Sequence, residues 1–206
     1  MGDTKERILL TALRLFARDG YEAVSVSNIA GELGMTKGAL YRHYANKRDI
    51  FDSILARMEQ RDAQQAQEHG VPGGVPEEIG EVYRNTPIDS VVEFAEAMFR
   101  YWTQDEFAVQ FRRMLTLEQF RDQEMAALYQ QYLVSGPLGY MTDLFVGLGL
   151  PRPQEEAAHF YAPMFLLYSV YDGGEDPAAV PPLMDQMLEK ERKYLNELLT
   201  RKGEIK

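Results

Sequence analysis

The chain has 206 residues, of which 45% are hydrophobic and 26% are charged, and its net charge is −10. The length allows one large domain or two small ones, and the composition is ordinary for a globular protein. Cysteine is absent, which excludes disulfide bonds and thiolate metal sites. We expect a cytoplasmic protein that does not enter a membrane, because no apolar run approaches the roughly 20 residues of a bilayer span and no signal peptide is recognisable.

The charge is distributed unevenly along the chain. Residues 1–56 hold eight Lys and Arg and seven Asp and Glu, a net charge of +1, whereas residues 57–206 hold 14 and 25, a net charge of −11. The acidity therefore belongs to the C-terminal part. A near-neutral N-terminal part can still bind DNA if its cations share one face, because phosphate neutralisation is local.

Helical periodicity dominates and predicts an all-α fold. The first helix is predicted over residues 4–18. Ser25 is a favourable N-cap for a short second helix that Gly34 ends, and Thr36 is placed to cap a third helix over residues 37–43. Two short helices joined by a tight glycine turn are typical of a helix-turn-helix.

Asn46 is predicted to cap a fourth helix, which continues as a polar connector to residue 69. The glycine- and proline-rich segment 70–76 cannot be helical. Pro137 and Pro163 fall inside later helical patterns and are expected to kink them. These later helices are predicted over residues 88–103, 106–120, 124–148, 154–171 and 182–201.

The stretch SVSNIAGELGMTKGALYRHYANKRD, residues 25–49, resembles the DNA-binding region of the tetracycline-repressor (TetR) family. The resemblance extends over about residues 5–55. It implies an N-terminal three-helix helix-turn-helix domain, residues 1–47, and a C-terminal helical domain for ligand binding and dimerisation, residues 48–206. Residues 48–69 are then the connecting helix between the two domains.

The third helix is short and polar, so most of its surface should be exposed. Lys37 stands in its first turn, where it can reach a base edge or a phosphate, and the small residues Gly38 and Ala39 allow a close approach to the groove. The resemblance implies that these three residues and Ser27 read bases. It also implies backbone contacts by Ser25, Thr36, Tyr41, His43, Tyr44 and Lys47. The Arg42 side chain can point either to the groove edge or to solvent. Tyr41 has the alternative of packing in the core.

The C-terminal helices are rich in aromatic residues and methionine, which line many small-molecule pockets. For each such residue the alternative is an ordinary place in the helical core. Glu118 is of special interest, because a buried carboxylate there would meet either a cationic ligand or an arginine such as Arg112 or Arg121. The predicted effector-binding residues are Phe99, Trp102, Phe111, Met114, Glu118, Tyr129, Tyr132, Met141, Phe165 and Tyr168.

The last two predicted helices each carry an apolar stripe. Because the resemblance implies a dimer, we expect these stripes to form a four-helix interface around a two-fold axis, although both could instead pack within one chain. The predicted interface residues are Ala158, Tyr161, Ala162, Phe165, Met184, Met187, Leu188, Glu191, Leu195 and Leu198.

The sequence thus predicts a homodimeric transcriptional regulator, by family default a repressor, that binds a palindromic DNA operator and responds to a small-molecule effector. Its acidic, aromatic C-terminal part favours a neutral or cationic effector. An alternative is a DNA-binding regulator whose C-terminal part recruits a protein partner. An enzyme is not expected, because His43, His69 and His159 lie far apart and no nucleophile or metal constellation is recognisable. We expect neither a cofactor nor a metal.

Overall fold

The computed structural model describes residues 2–68, 83–84 and 86–204, and every regular element in these ranges is helical. The predicted all-α fold is confirmed. The predicted break at residues 70–76 lies outside the described residues. The helices are α1 (Gly2–Asp19), α2 (Val26–Glu32), α3 (Lys37–Leu40), α4 (Lys47–Glu68), α5 (Ile88–Gln104), α6 (Glu106–Glu118), α7 (Gln123–Leu133), α8 (Ser135–Leu148), α9 (Pro153–Gly173), the 3₁₀ turn Pro177–Ala179, and α10 (Val180–Glu204).

The helices form two compact units. The first contains residues 1–64 and 105–129, and the second contains residues 65–104 and 130–206. The first unit therefore combines the helix-turn-helix with α6, which comes from much later in the chain. The predicted domain division after residue 47 rests on the motif and stays a prediction. Among the described residues, no helix is both long enough and apolar enough to cross a membrane.

The core of the first unit is built on the apolar stripe of α1. Ile8, Leu13 and Phe16 are fully buried, and they recur at the three- to five-residue spacing that places them on one face of a helix. α1 packs against both α2 and α6. Leu40 of α3 and Phe111 of α6 are also fully buried. This packing holds the two short helices, which would be marginal alone, in a fixed arrangement.

Asp62 of α4 gives the first unit a predictable pH dependence. Burial, reinforced by the negative charge of Glu59, raises the pKa of this carboxyl to about 7. The unfolded chain releases the same proton near pH 4, so the folded state binds more protons between these values, and stability must fall as the pH rises through this window. Asp62→Asn should therefore gain stability over the parent chain at pH 8 and lose this advantage at pH 4.

Urea unfolding of both proteins at pH 4, 6 and 8 measures this difference. Glu59→Gln on the same helix is the matched control, and a smaller gain is expected because Glu59 only adds to the effect of burial. A stability difference between Asp62→Asn and the parent chain that does not change with pH would contradict the prediction.

In the second unit, α8 packs against α9, and α5 packs against α10. Aromatic pairs join the helices. The rings of Phe99 and Tyr168 stack at 5.3 Å between centroids, and those of Phe145 and Phe160 meet edge to face at 5.8 Å. Large apolar surfaces are buried in this way, which is the main stabilising contribution in a helical core.

The prediction of one helix over residues 124–148 is wrong, because α7 ends at Leu133 and α8 begins at Ser135. Pro137 has no N–H group and its ring would collide with the carbonyl four residues earlier, so it occupies the first turn of a new helix instead of kinking an old one. Gly136 is also required, since a Cβ atom there would lie 1.8 Å from the carbonyl oxygen of Gln131. Pro163, by contrast, lies inside α9 as predicted.

Candidate nucleic-acid interface

The two short helices of the first unit begin at the predicted caps. The Oγ atom of Ser25 accepts a hydrogen bond from the backbone N–H of Asn28, and the Asn28 side chain accepts one from the N–H of Ser25. The Oγ1 atom of Thr36 accepts one from the N–H of Ala39 at 3.1 Å. These bonds satisfy amides that the first helical turn leaves without a partner. Regular α3 geometry ends at Leu40, three residues before the predicted end.

α3 presents a polar, open surface. Leu40 anchors it in the core, whereas Lys37, Gly38 and Tyr41 are exposed. The Lys37 ammonium lies 5.7 Å from the centroid of the Tyr41 ring. A Cβ atom at Gly38 would meet nothing within 4 Å, so the space over this backbone is open. Such a surface can approach the edge of a duplex closely.

The remaining predicted base-reading and phosphate-binding residues differ in accessibility. Ser27 on α2 is exposed, as are the caps Ser25 and Thr36, while Ala39 and His43 are half-buried. All five therefore keep some surface that a duplex can reach, and their roles stay predictions.

Tyr44 has a different place from the one predicted. Its side chain is only 2% exposed, and its hydroxyl donates a hydrogen bond to the carbonyl oxygen of Lys5 at 3.3 Å. Burial also raises the pKa of this phenol. The predicted phosphate contact of Tyr44 is corrected accordingly: the ring fills the core and the hydroxyl has its acceptor in α1.

Lys47, the first residue of α4, contacts Tyr21 in the turn after α1. Its ammonium donates to the carbonyl oxygen of Tyr21 at 2.8 Å and lies 4.1 Å from the centroid of that ring. The predicted cap of α4 is present as well, since the Asn46 side chain accepts from the N–H of Asp49 at 2.9 Å. An ammonium has three N–H donors, so Lys47 keeps donors for a phosphate and its predicted role stays open to test.

The predicted effector residues do not form one set. Phe99 and Tyr168 stack in the second unit, where Trp102 and Tyr132 also meet at 6.4 Å between centroids. Met141 is buried in this unit too, and Phe165 is 38% exposed. The others, Phe111, Met114, Glu118 and Tyr129, belong to the first unit. Phe111 and Met114 are fully buried there, as the alternative of an ordinary core place predicts.

Glu118 is buried, and an arginine is beside it. Its Oε1 atom lies 3.8 Å from the Nη1 atom of Arg121. Neither carboxylate oxygen accepts a hydrogen bond from any described residue. Of the two partners expected for a buried carboxylate here, the structure contains the arginine, and an effector contact stays a prediction.

The predicted interface residues separate into two groups. Met184, Leu188 and Leu195 are no more than 2% exposed within the single chain, so they are corrected to the intrachain alternative. Tyr161 is buried as well, and its hydroxyl donates to the carbonyl oxygen of Leu133 at 2.8 Å. The residues that keep accessible surface are Ala158, Ala162 and Phe165 on α9 and Met187, Glu191 and Leu198 on α10.

Two curated relatives share the helix-turn-helix. The HTH-type transcriptional regulator AcrR of Shigella flexneri is 42% identical over 52 residues, which are 25% of this chain and 24% of the relative. The HTH-type transcriptional repressor BepR of Brucella suis is 42% identical over 55 residues, 27% of this chain and 26% of the relative. The match therefore spans about a quarter of each relative's own length.

A solved structure extends the likeness of fold to nearly the whole chain. A transcriptional regulator from Saccharomonospora viridis, crystallised in complex with choline, superimposes with a TM-score of 0.61 over 92% of this chain and 95% of its own, at 19% identity. The sequence profile of the bacterial regulatory proteins of the tetR family matches residues 8–54. The two relatives are transcriptional regulators, and the family is one of regulatory proteins. Residues 8–54 are thus similar in sequence to the tetR family of bacterial regulatory proteins, and the rest of the chain shares only the fold of the solved structure.

Proposed function

We propose that the protein is a transcriptional repressor that binds a palindromic operator as a homodimer and leaves it when a small-molecule effector binds. The observation that carries the DNA-binding part is the exposed surface of α3, where Lys37, Gly38 and Tyr41 stand over an anchored Leu40. In a helix-turn-helix the second helix enters the major groove, and a two-fold dimer requires two half-sites about one helical turn apart.

Binding to the chain's own upstream DNA, followed by fluorescence anisotropy over a series of salt concentrations, tests this proposal. A sequence-selective complex with two subunits per site, weakening steeply with salt, is the expected result. Mass spectrometry after denaturation shows whether the purified protein holds an effector. If effector-free protein does not bind this DNA selectively, the proposal is contradicted.

Lys37→Ala is expected to weaken operator binding by roughly 5- to 100-fold and to relax selectivity at one base pair of each half-site, as for the loss of one base or phosphate contact. The fold should be retained because the side chain is exposed. Anisotropy titrations measure the affinity, and thermal unfolding checks the fold. Lys190→Ala, which removes an exposed lysine of α10, is the matched control and should bind like the parent chain. If Lys37→Ala binds the operator as tightly as the parent chain does, Lys37 is not part of the interface.

The dimer proposal is supported by one face of α9. Phe165, Leu166 and Val170 are large apolar residues with 38%, 62% and 42% of their surface exposed. With Ala158 and Ala162 they recur at spacings of three and four residues, so they share one face of the helix. An apolar stripe that a single chain leaves uncovered is typical of an interface between subunits.

The effector proposal is supported by the aromatic residues of the second unit. Phe99 stacks on Tyr168 and Trp102 meets Tyr132 edge to face. Aromatic side chains of this kind line many small-molecule pockets. The net charge of −11 on residues 57–206 favours a neutral or cationic molecule. The test is whether compounds from a panel of neutral and cationic molecules release the protein from its operator. Tight binding of a protein partner, with no response to any small molecule, would overturn the effector proposal.

A further inference from the structure

A cleft of about 840 Å³ lies beside α3 in the first unit. It is open to solvent and is lined by α1, by α4 and by the end of α3. The polar residues that matter here are Thr4, Lys5, Glu6, Arg42, His43 and Arg57. Three of these side chains are cations and one is an anion.

The anion is already neutralised. The carboxylate of Glu6 accepts two hydrogen bonds from the guanidinium of Arg57, one of them at 2.6 Å, so these two charges cancel. Lys5 and Arg42 remain, and both are exposed. Neither forms an ion pair with a carboxylate in the described part of the chain. The cleft therefore presents two uncompensated positive charges.

Two features of the first unit position these cations at the cleft. Tyr44 holds the α1 side, because its hydroxyl donates to the carbonyl oxygen of Lys5 and its ring lies 5.0 Å below the Lys5 ammonium. On the other side, Arg42 and His43 lie in the turn that follows α3, three and four residues after Ala39, and all three line the cleft. The cleft thus adjoins the exposed surface of α3.

We propose that this cleft binds a backbone phosphate of the operator, with Lys5 and Arg42 as its ligands and Tyr44 as the positioning residue of Lys5. This inference rests on the proposed function. The position next to α3 favours a phosphate that flanks the bases under that helix. A phosphodiester offers no base edge, so this contact adds affinity and fixes the orientation on the duplex without adding selectivity.

The experiment compares operator binding by the full-length parent chain, Lys5→Ala and Arg42→Ala between 50 and 200 mM potassium chloride. Each variant should bind on the order of tenfold more weakly at the lowest salt concentration, and the slope of log K against log salt should be less steep by about 0.9 per subunit, or about 1.8 for a dimer. The ratio of operator to scrambled-duplex affinity should not change. Arg7→Ala is the matched control, since Arg7 is exposed on α1 but lies about 200° around the helix from Lys5.

Parent-like affinity and salt slope in both variants, with the parent chain binding its operator, would overturn the cleft assignment and leave the proposed function intact. Failure of the parent chain to bind any operator would instead contradict the proposed function. Tyr44→Phe keeps the ring and loses the hydroxyl, so it should reduce the salt slope by less than Lys5→Ala does. A purely structural role would lower its melting temperature and leave the slope unchanged.

The chemistry of the site also fits a free phosphate ion, which calorimetry without DNA distinguishes. Inorganic phosphate at millimolar concentration should show no saturable binding to the parent chain. Saturable binding that Arg42→Ala abolishes would assign the cleft to a free anion and overturn its assignment to the duplex.

Discussion

Replacing Gly20 by alanine should lower the free energy of unfolding by about 2–5 kcal/mol, the combined cost of a left-handed backbone and of a crowded side chain. The backbone of Gly20 has φ +91°, which L side chains rarely adopt. A Cβ atom would also lie 2.3 Å from the Oε1 atom of Glu118. That carboxylate ends a flexible side chain, but the side chain is 1% exposed and has little room to move. Urea unfolding followed by circular dichroism measures the loss.

Gly34→Ala separates the two contributions. Gly34 also has a left-handed backbone, with φ +63°, but nothing lies within 4 Å of the place its Cβ atom would take. Gly34→Ala should therefore lower the free energy of unfolding only by the backbone contribution, about 1–2 kcal/mol. In the double variant Gly20→Ala, Glu118→Ala the crowding is absent, and the single effects should not add. Equal losses for Gly20→Ala and Gly34→Ala would mean that the Glu118 carboxylate moves aside freely.

Replacing Leu166 by glutamate should convert the proposed dimer to a monomer at micromolar concentration. Leu166 is 62% exposed in the centre of the apolar stripe of α9, between Phe165 and Val170. In a two-fold interface each residue is present twice, so one substitution buries two carboxylates. A cost of about 2–4 kcal/mol for a disrupted central contact corresponds to a roughly 30- to 1000-fold weaker association. Sedimentation velocity measures the change.

Operator affinity should fall together with dimerisation, because a monomer reaches only one half-site at a time. Phe120→Glu is the matched control: Phe120 is 90% exposed, lies after α6 in the first unit and has no place in the stripe. It should leave the dimer intact. A Leu166→Glu variant that sediments as a dimer would place the interface elsewhere.

Local patterns were enough to predict the start of each short helix, because caps such as Ser25 and Thr36 act over three residues and their hydrogen bonds are present. The break at Val134 was missed because the apolar pattern continues through it, and only the position of Pro137 in a new first turn explains it. Tyr44 and Lys5 are 39 residues apart, so no spacing rule indicates their contact. Burial of Met184 and Leu188 likewise depends on which helix covers them. Long-range packing decided the last two of these cases, whereas the break at Val134 is a local effect of Pro137.

The packing of α6 against α1 has a consequence for protein engineering. A fragment consisting of residues 1–47 alone would expose the face of α1 that packs against α6, since residues 105–129 complete the first unit. Such a fragment should aggregate or remain partly unfolded. A chimaeric regulator built from the proposed DNA-binding unit would have to include α6 as a second graft, taken from a distant part of the chain. The transplantable module is thus discontinuous in sequence, and the helix-turn-helix motif marks only part of it.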